Sequence, residues 1–220
     1  RRPIGIERML RIHFLQHWFA LSDPAAEEAL YDSHAMRSFV GIDLGQEPVP
    51  DETTICKFRH LMERHNLGDA LFHKVNDYLA ENGMKVARGT IVDATIINAP
   101  SSTKNQDKAR DPEMHQTRKG NQWYFGMKAH IGVDSKKKLI HSVVATAANV
   151  HDSQVLEDLL HGDETRLWGD SAYAGQKTVL QEHAPNAKDF TNKKGYRYKS
   201  LTDAEKSKNS TKSSVRAKVE

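Results

Sequence analysis

The sequence predicts an α/β protein in two parts: an all-helical module over residues 1–85, then a sheet-containing domain over 86–220. Two observations carry this. Up to about residue 85, apolar side chains recur every three or four positions, the period of a helix with one buried face. From about residue 88 the period drops to two, the spacing of a strand, and strand-like runs then alternate with helical ones.

In the first part, Ile6, Leu10, Phe14, Trp18 and Leu21 fall on one face of a helix over 4–21. Leu15 and Phe19 widen that face, and all are expected in the core. Ser22-Asp23-Pro24 ends this helix and starts another, with Pro24 suited to its first turn. The second helix is expected to reach Val40, with Ala26, Ala29, Leu30, Met36 and Val40 inward. Two Gly and two Pro mark residues 41–51 as a loop. It is longer than the ~3–4-residue turn of a tight helix-turn-helix. Asp51 is a candidate N-cap for a helix over 52–65. Ile55, Phe58 and Met62 form its inner stripe, and Lys57, His60 and Arg64 form a separate basic face. A helix over 68–82, with Leu71, Phe72, Val75 and Leu79 inward, ends at Gly83.

In the second part, strands are expected at 88–95, 125–133 and 139–145, the last two forming a hairpin through residues 134–138. Met127, Ala129, Ile131 and Val133 share one face of the middle strand, Lys128 and His130 the other. Residues 99–122 are polar and too long for an ordinary connection, so they read as a functional or mobile loop. Asp152 is a candidate N-cap for a helix with Val155, Leu156, Leu159 and Leu160 inward. A short strand over 166–170 ends at Asp170, which Gly169 and Gly175 bracket so that backbone can approach a ligand. A helix over 176–183 and a weak strand over 188–191 follow. The last helix starts near Thr202 or Asp203. On it Lys212, Arg216 and Glu220 share a face by their spacing of four, and Val215 and Val219 share another that would pack on the sheet.

No run approaches the ~20 apolar residues of a membrane span, so no membrane partner is expected. Cys56 is the single cysteine, which excludes an internal disulfide. The twelve His are scattered and read as structural. A Gly-rich phosphate loop, zinc-ligand spacing and a serine nucleophile elbow are all missing. Residues 188–220 hold ten Lys/Arg against four Asp/Glu, while the whole chain carries only +3. A basic tail on a mildly acidic body suggests a polyanion partner. Arg1 stands where a natural start would have Met, and Val219-Glu220 ends without a helix terminator, so a fragment of a longer protein is expected.

The chemistry lies in the carboxylates. Asp93 sits in the apolar run Thr90-Ile-Val-Asp-Ala-Thr-Ile-Ile, where a lone charge is costly unless it is paired or binds a cation. Asp170 ends a second strand, and a third acid lies on the last helix. Carboxylates brought together repel unless a cation neutralises them. A hard divalent ion such as Mg²⁺ does so with oxygen ligands, typically one or two protein carboxylates plus phosphate oxygens. Two such ions can activate a nucleophile and stabilise a leaving oxygen at phosphorus.

The stretch TIVDATIINAPSSTKNQDKARDPEMHQTRKGNQWYFGMKAHIGVD closely resembles the core of bacterial DDE transposases of the insertion-sequence-five family, and the resemblance covers nearly the whole chain. It implies a ribonuclease-H-like catalytic domain, a mixed sheet with flanking helices, preceded by a helical domain that binds DNA ends or dimerises. The family's first Asp falls on Asp93 and its second on Asp170, in WGDSAYAG. Its Glu falls on Glu220, four residues after the family's Arg at Arg216. Ser213 stands where many relatives carry Tyr. The resemblance therefore implies Asp93, Asp170 and Glu220 as catalytic and metal-binding residues, with Mg²⁺ or Mn²⁺ as cofactor. Lys57, His60, Arg64, Arg118, Lys119, Lys128, Lys212 and Arg216 are the candidate DNA contacts. The implied partners are the element's terminal inverted repeats, target DNA and further copies of the chain, in the cytoplasm at the nucleoid. Rival expectations are a metal-dependent nuclease of the same fold, a non-catalytic DNA-binding fragment, and a helical module that only dimerises.

Overall fold

The structure is a computed structural model that describes residues 4–84, 88–104, 108–196 and 198–217. Contacts divide the chain into two compact units, residues 1–75 and 76–220. The division falls inside a helix, ten residues before the boundary expected from the sequence.

The first unit contains α1 (Ile6–Phe19), α2 (Asp23–Asp32), α3 (His34–Val40), α4 (Glu52–Arg64) and the start of α5 (Leu67–Glu81). Its core joins Met9, Ile12 and Leu15 of α1 to Ala26, Leu30, Val40, Val49 and Ile55. The stripe expected on α1 is therefore corrected, except that Leu15 is buried and Leu21 packs against this core as expected. That helix is apolar on two stripes, and packing selects the row spaced by three. Trp18 is 62% exposed, and it stacks on Phe14 and leans on Phe39 at 5.7 and 5.6 Å between ring centroids. The single helix expected up to Val40 is likewise two. Ser33 leaves helical geometry, and its Oγ accepts the Met36 N–H to cap α3. Asp51 caps α4 as expected, accepting the Thr54 N–H at 2.8 Å. Gly83 ends α5 with φ +65, and the Met84 N–H reaches back to Leu79 O. The stripe expected on α5 is not a core face: Val75 is exposed, Leu71, Phe72 and Leu79 are half-buried, and Asn76 is the buried residue.

Among the described residues of the second unit, six strands form one sheet: β1 (Thr90–Asn98), β2 (His115–Lys119), β3 (Gln122–Asp134), β4 (Ile140–Ala147), β5 (Arg166–Trp168) and β6 (Lys188–Asp189). The first part of β3 pairs with β2, and the rest pairs with β1 and β4, all antiparallel. β5 joins β1 and β6 joins β5 in parallel. This is the mixed, ribonuclease-H-like sheet with flanking helices. Gly126 marks the change of partners along β3, pairing with both His115 and Asn98. Its φ is +151, and a Cβ there would lie 2.1 Å from Ile97 O, so no side chain fits. β2 lies within the segment expected to be a loop. Its polar residues hide the alternation, but Gly120-Asn121 is a two-residue hairpin turn of recognisable type.

Behind the sheet, Val92, Leu167 and Tyr173 pack against Val155, Leu156, Leu159 and Leu180. Those partners come from a 3₁₀ turn (Asp152–Val155), α6 (Leu156–Leu159) and α7 (Lys177–His183). The last helix, α8 (Asp203–Arg216), starts at a Thr202/Glu205 capping box. Of the two valines expected to pack on the sheet, Val215 is half-buried, and no described residue of α8 is fully buried. Polar bonds fasten it instead to residues 191–193. Lys212 Nζ donates to Thr191 O at 2.7 Å, Asn192 to Ser213 at 3.0 Å, and Asn209 exchanges two 2.9 Å bonds with the Lys193 backbone. Val219 lies outside the described residues.

One buried carboxylate ties β1 to β5. Glu164 is fully buried and accepts the His161 and Gly162 N–H groups at 2.8 Å each, and Thr90 Oγ1 at 3.2 Å. Removing it orphans these donors. Glu164→Ala is expected to cost about 3 kcal/mol, read from urea unfolding. In the first unit, Ile12→Ala is expected to cost about 3 kcal/mol and Trp18→Ala less than about 1 kcal/mol. The reverse order in the same assay would restore the other stripe of α1 to the core.

Candidate active site

Strand register brings the two strand acids together. Ile91 pairs with Trp168 across the parallel β1–β5 ladder. Asp93 follows two residues later within β1, Asp170 lies two residues past the end of β5, and both line the same cleft. Adjacent strands lie about 4.8 Å apart. β5 stops at Trp168 while β1 continues to Asn98, so β1 has a free edge beyond Asp93. A cleft of about 690 Å³ opens there, lined by Asp93, Asp152, Asp170, Arg118, Lys128 and Arg216 among others.

The acids are held in different ways. Asp170 Oδ1 accepts the Ala172 N–H at 2.7 Å, which fixes the turn after β5. Asp93 Oδ1 lies 3.4 Å from Arg216 Nη2 of α8, with both side chains partly exposed. Asp152 Oδ1 accepts Lys128 Nζ at 2.7 Å. Tyr173 lies beneath them, 1% exposed, and its hydroxyl has no hydrogen-bond partner among the described residues. Burial first, and then the charges of Asp152, Asp170 and Asp93, push its phenol well above the ordinary tyrosine range, with Arg216 opposing. These four charged groups thus act on one hydroxyl. Gly169 makes the packing possible: a Cβ there would lie 2.9 Å from Val92 Cγ2 and 3.2 Å from Tyr173 Cδ2. Its smallness makes room for this side chain.

Arg118 and Lys119, on the β2–β3 hairpin, rim the cleft. Arg118 is exposed, bonded to Gly120 O and Asn121 and set over the Trp123 ring. Lys212 is committed to Thr191 O. Lys57, His60 and Arg64 are exposed on α4 of the other unit. Glu220 lies outside the described residues. Asp152 is the cleft residue that the sequence reading missed. It does not cap the turn it begins, since His151 does that. The available signal was Lys128, a lone cation on the enclosed face of β3 beside the fully buried His130, which required a carboxylate partner. Among the described residues no cluster of three or more His, Cys, Asp or Glu forms a metal site. Asp93 and Asp170 are carboxylates on one cleft, the hard oxygen type of which Mg²⁺ takes one or two from protein.

The family model described as Transposase DDE domain matches residues 84–220, more than half of the chain. The chain belongs to the DDE transposase family. A second model, Transposase domain (DUF772), matches residues 1–61 of this transposase. No solved structure matches it. Among its described residues no helix is long and apolar enough to cross a membrane.

Because the Tyr173 hydroxyl is buried without a partner, Tyr173→Phe is expected to raise stability by about 1 kcal/mol. The raised phenol pKa has a definite sign. The unfolded chain ionises this tyrosine near pH 10 and the folded chain does not, so its contribution is full below pH 10 and falls as pH rises above it. Unfolding midpoints should therefore drop above pH 10 in the transposase and drop less in Tyr173→Phe.

Proposed function

We propose that this transposase cuts DNA at the ends of an insertion sequence and joins the released 3′ ends to target DNA, using Mg²⁺ or Mn²⁺. The supporting observation is that Asp93 of β1 and Asp170, just past β5, line one cleft with Arg118, Lys119 and Arg216. Asp93 and Asp170 would hold the ions, with Glu220 completing the set. Bound there, divalent ions supply a Lewis acid that lowers the pKa of the attacking hydroxyl and stabilises the leaving oxygen. The side chains do the rest. Arg216 pairs with the Asp93 carboxylate and offers its remaining N–H groups to a phosphate. Arg118 and Lys119 neutralise the flanking backbone, the sequence-independent part of DNA affinity. Water attacks first, and the freed 3′-hydroxyl then attacks the target phosphodiester at the same place. Residues 86–220 form the catalytic domain in this reading. Residues 1–85 bind the ends or pair two copies, with Lys57, His60 and Arg64 as the DNA-facing row.

Asp93→Asn and Asp170→Asn are each expected to lower Mg²⁺-dependent nicking of end-containing DNA by about three orders of magnitude. Nicking that survives Asp93→Asn would sink the assignment. Joining of a pre-cut end to target DNA separates this reading from a hydrolase of the same fold, which joins nothing.

A further inference from the structure

Asp152 and Lys128 form a second charged pair in the cleft, and their geometry differs from that of the other acids. Lys128 Nζ lies 2.7 Å from Val150 O and 2.7 Å from Asp152 Oδ1. An ammonium has three N–H groups, so one remains. Lys128 lines the cleft yet is only 13% exposed, so this is a fixed cation and not a waving surface lysine. Asp152 is 19% exposed. His130, on the same face of β3, is fully buried, with Nδ1 4.0 Å from Asp152 and Nε2 2.9 Å from Thr146 Oγ1. Burial holds this imidazole below its ordinary pKa, so it stays neutral and leaves Lys128 as the cation facing Asp152.

We propose that Lys128 is a preset phosphate-binding cation of the cleft, and that Asp152 is its positioning residue rather than a ligand of the metal ions. The proposal rests on the reading of the cleft as a DNA-processing site. Asp152 Oδ1 already carries an ammonium at hydrogen-bond distance, and a metal ion at the same oxygen would have to displace a like charge. A lysine anchored at two points loses little further freedom on meeting a phosphodiester. The remaining acids, Asp93 inside β1 and Asp170 just past β5, make no such tight lysine contact, so metal binding falls to them while Asp152 serves the phosphate-binding lysine.

The two roles predict opposite signs. If Asp152 were only another negative charge in the cleft, its removal would strengthen DNA binding. As a positioning residue, its removal weakens binding. The test is fluorescence anisotropy with a short DNA duplex over a range of salt, beside Mn²⁺ titration of the same protein followed by electron paramagnetic resonance. Lys128→Met should weaken DNA binding about tenfold and reduce the log–log salt slope by about one. Asp152→Ala should weaken it in the same direction, and the double variant should match Lys128→Met within about twofold. Mn²⁺ affinity should be unchanged in Asp152→Ala and lost in Asp93→Asn. Tighter DNA binding by Asp152→Ala, or loss of its Mn²⁺ affinity, overturns the proposal. Lys128→Arg guards against a folding defect: it should keep most of the DNA affinity, and a loss as large as that of Lys128→Met would reduce Lys128 to a packing role. If the unaltered chain binds no Mn²⁺ through Asp93, the transposase reading of the cleft fails, while the DNA arm still decides the role of Lys128.

Discussion

The parallel register of β1 against β5 is the constraint on which the cleft depends. Ile91 pairs with Trp168, and Asp93 and Asp170, each two residues further on, line the same cleft. A slip of one residue would turn one acid to the other face of the sheet. The ladder itself is short, with two residue pairs, so it needs outside help to hold its register. Glu164 provides it from the loop before β5. Its carboxylate binds two backbone N–H groups of its own loop and Thr90 at the start of β1. The Thr165 N–H adds a bond to Arg88 O. A buried acid that does no chemistry thereby fixes the spacing of two acids at the cleft.

Charge in the cleft is arranged by distance and not by sum. Arg216 sits at 3.4 Å from Asp93, a loose contact, while Lys128 sits at 2.7 Å from Asp152, a tight one. Asp170 takes a backbone N–H. The three acids are therefore in three electrostatic conditions within one small volume. The buried Tyr173 hydroxyl lies under their combined field with nothing to bind. Such unpaired polar groups are rare in finished interiors, because they forfeit a hydrogen bond on folding.

The elements that could be read in advance have local causes. Asp51 and Thr202 announce helix starts through their own side chains, and Gly83 announces a helix end. Asp93 and Asp170 stood out because acids after apolar strands demand a reason. What was hidden depends on partners distant in sequence. Nothing within α1 says which of its two apolar stripes meets Leu30 and Ile55. β2 is polar on both faces, so only its turn betrays it. Asp152 looked like a cap because its partner, Lys128, is 24 residues away on another strand. The divided helix at Ser33 follows from a serine that serves equally well as the end of one helix and the cap of another.

The way α8 is attached sets how the cleft can be assembled. Its hold on the sheet is a row of hydrogen bonds and the Lys193–Glu205 pair, with little grease between them. Glu205 is kept ionised down to about 2, chiefly by Lys193 and then by the Thr202 N–H, so that link persists until strong acid. A fastening of this kind resembles a latch more than a weld. Undoing it would uncover no fully buried side chain among the helix's described residues, and would part the guanidinium from Asp93, which β1 holds independently.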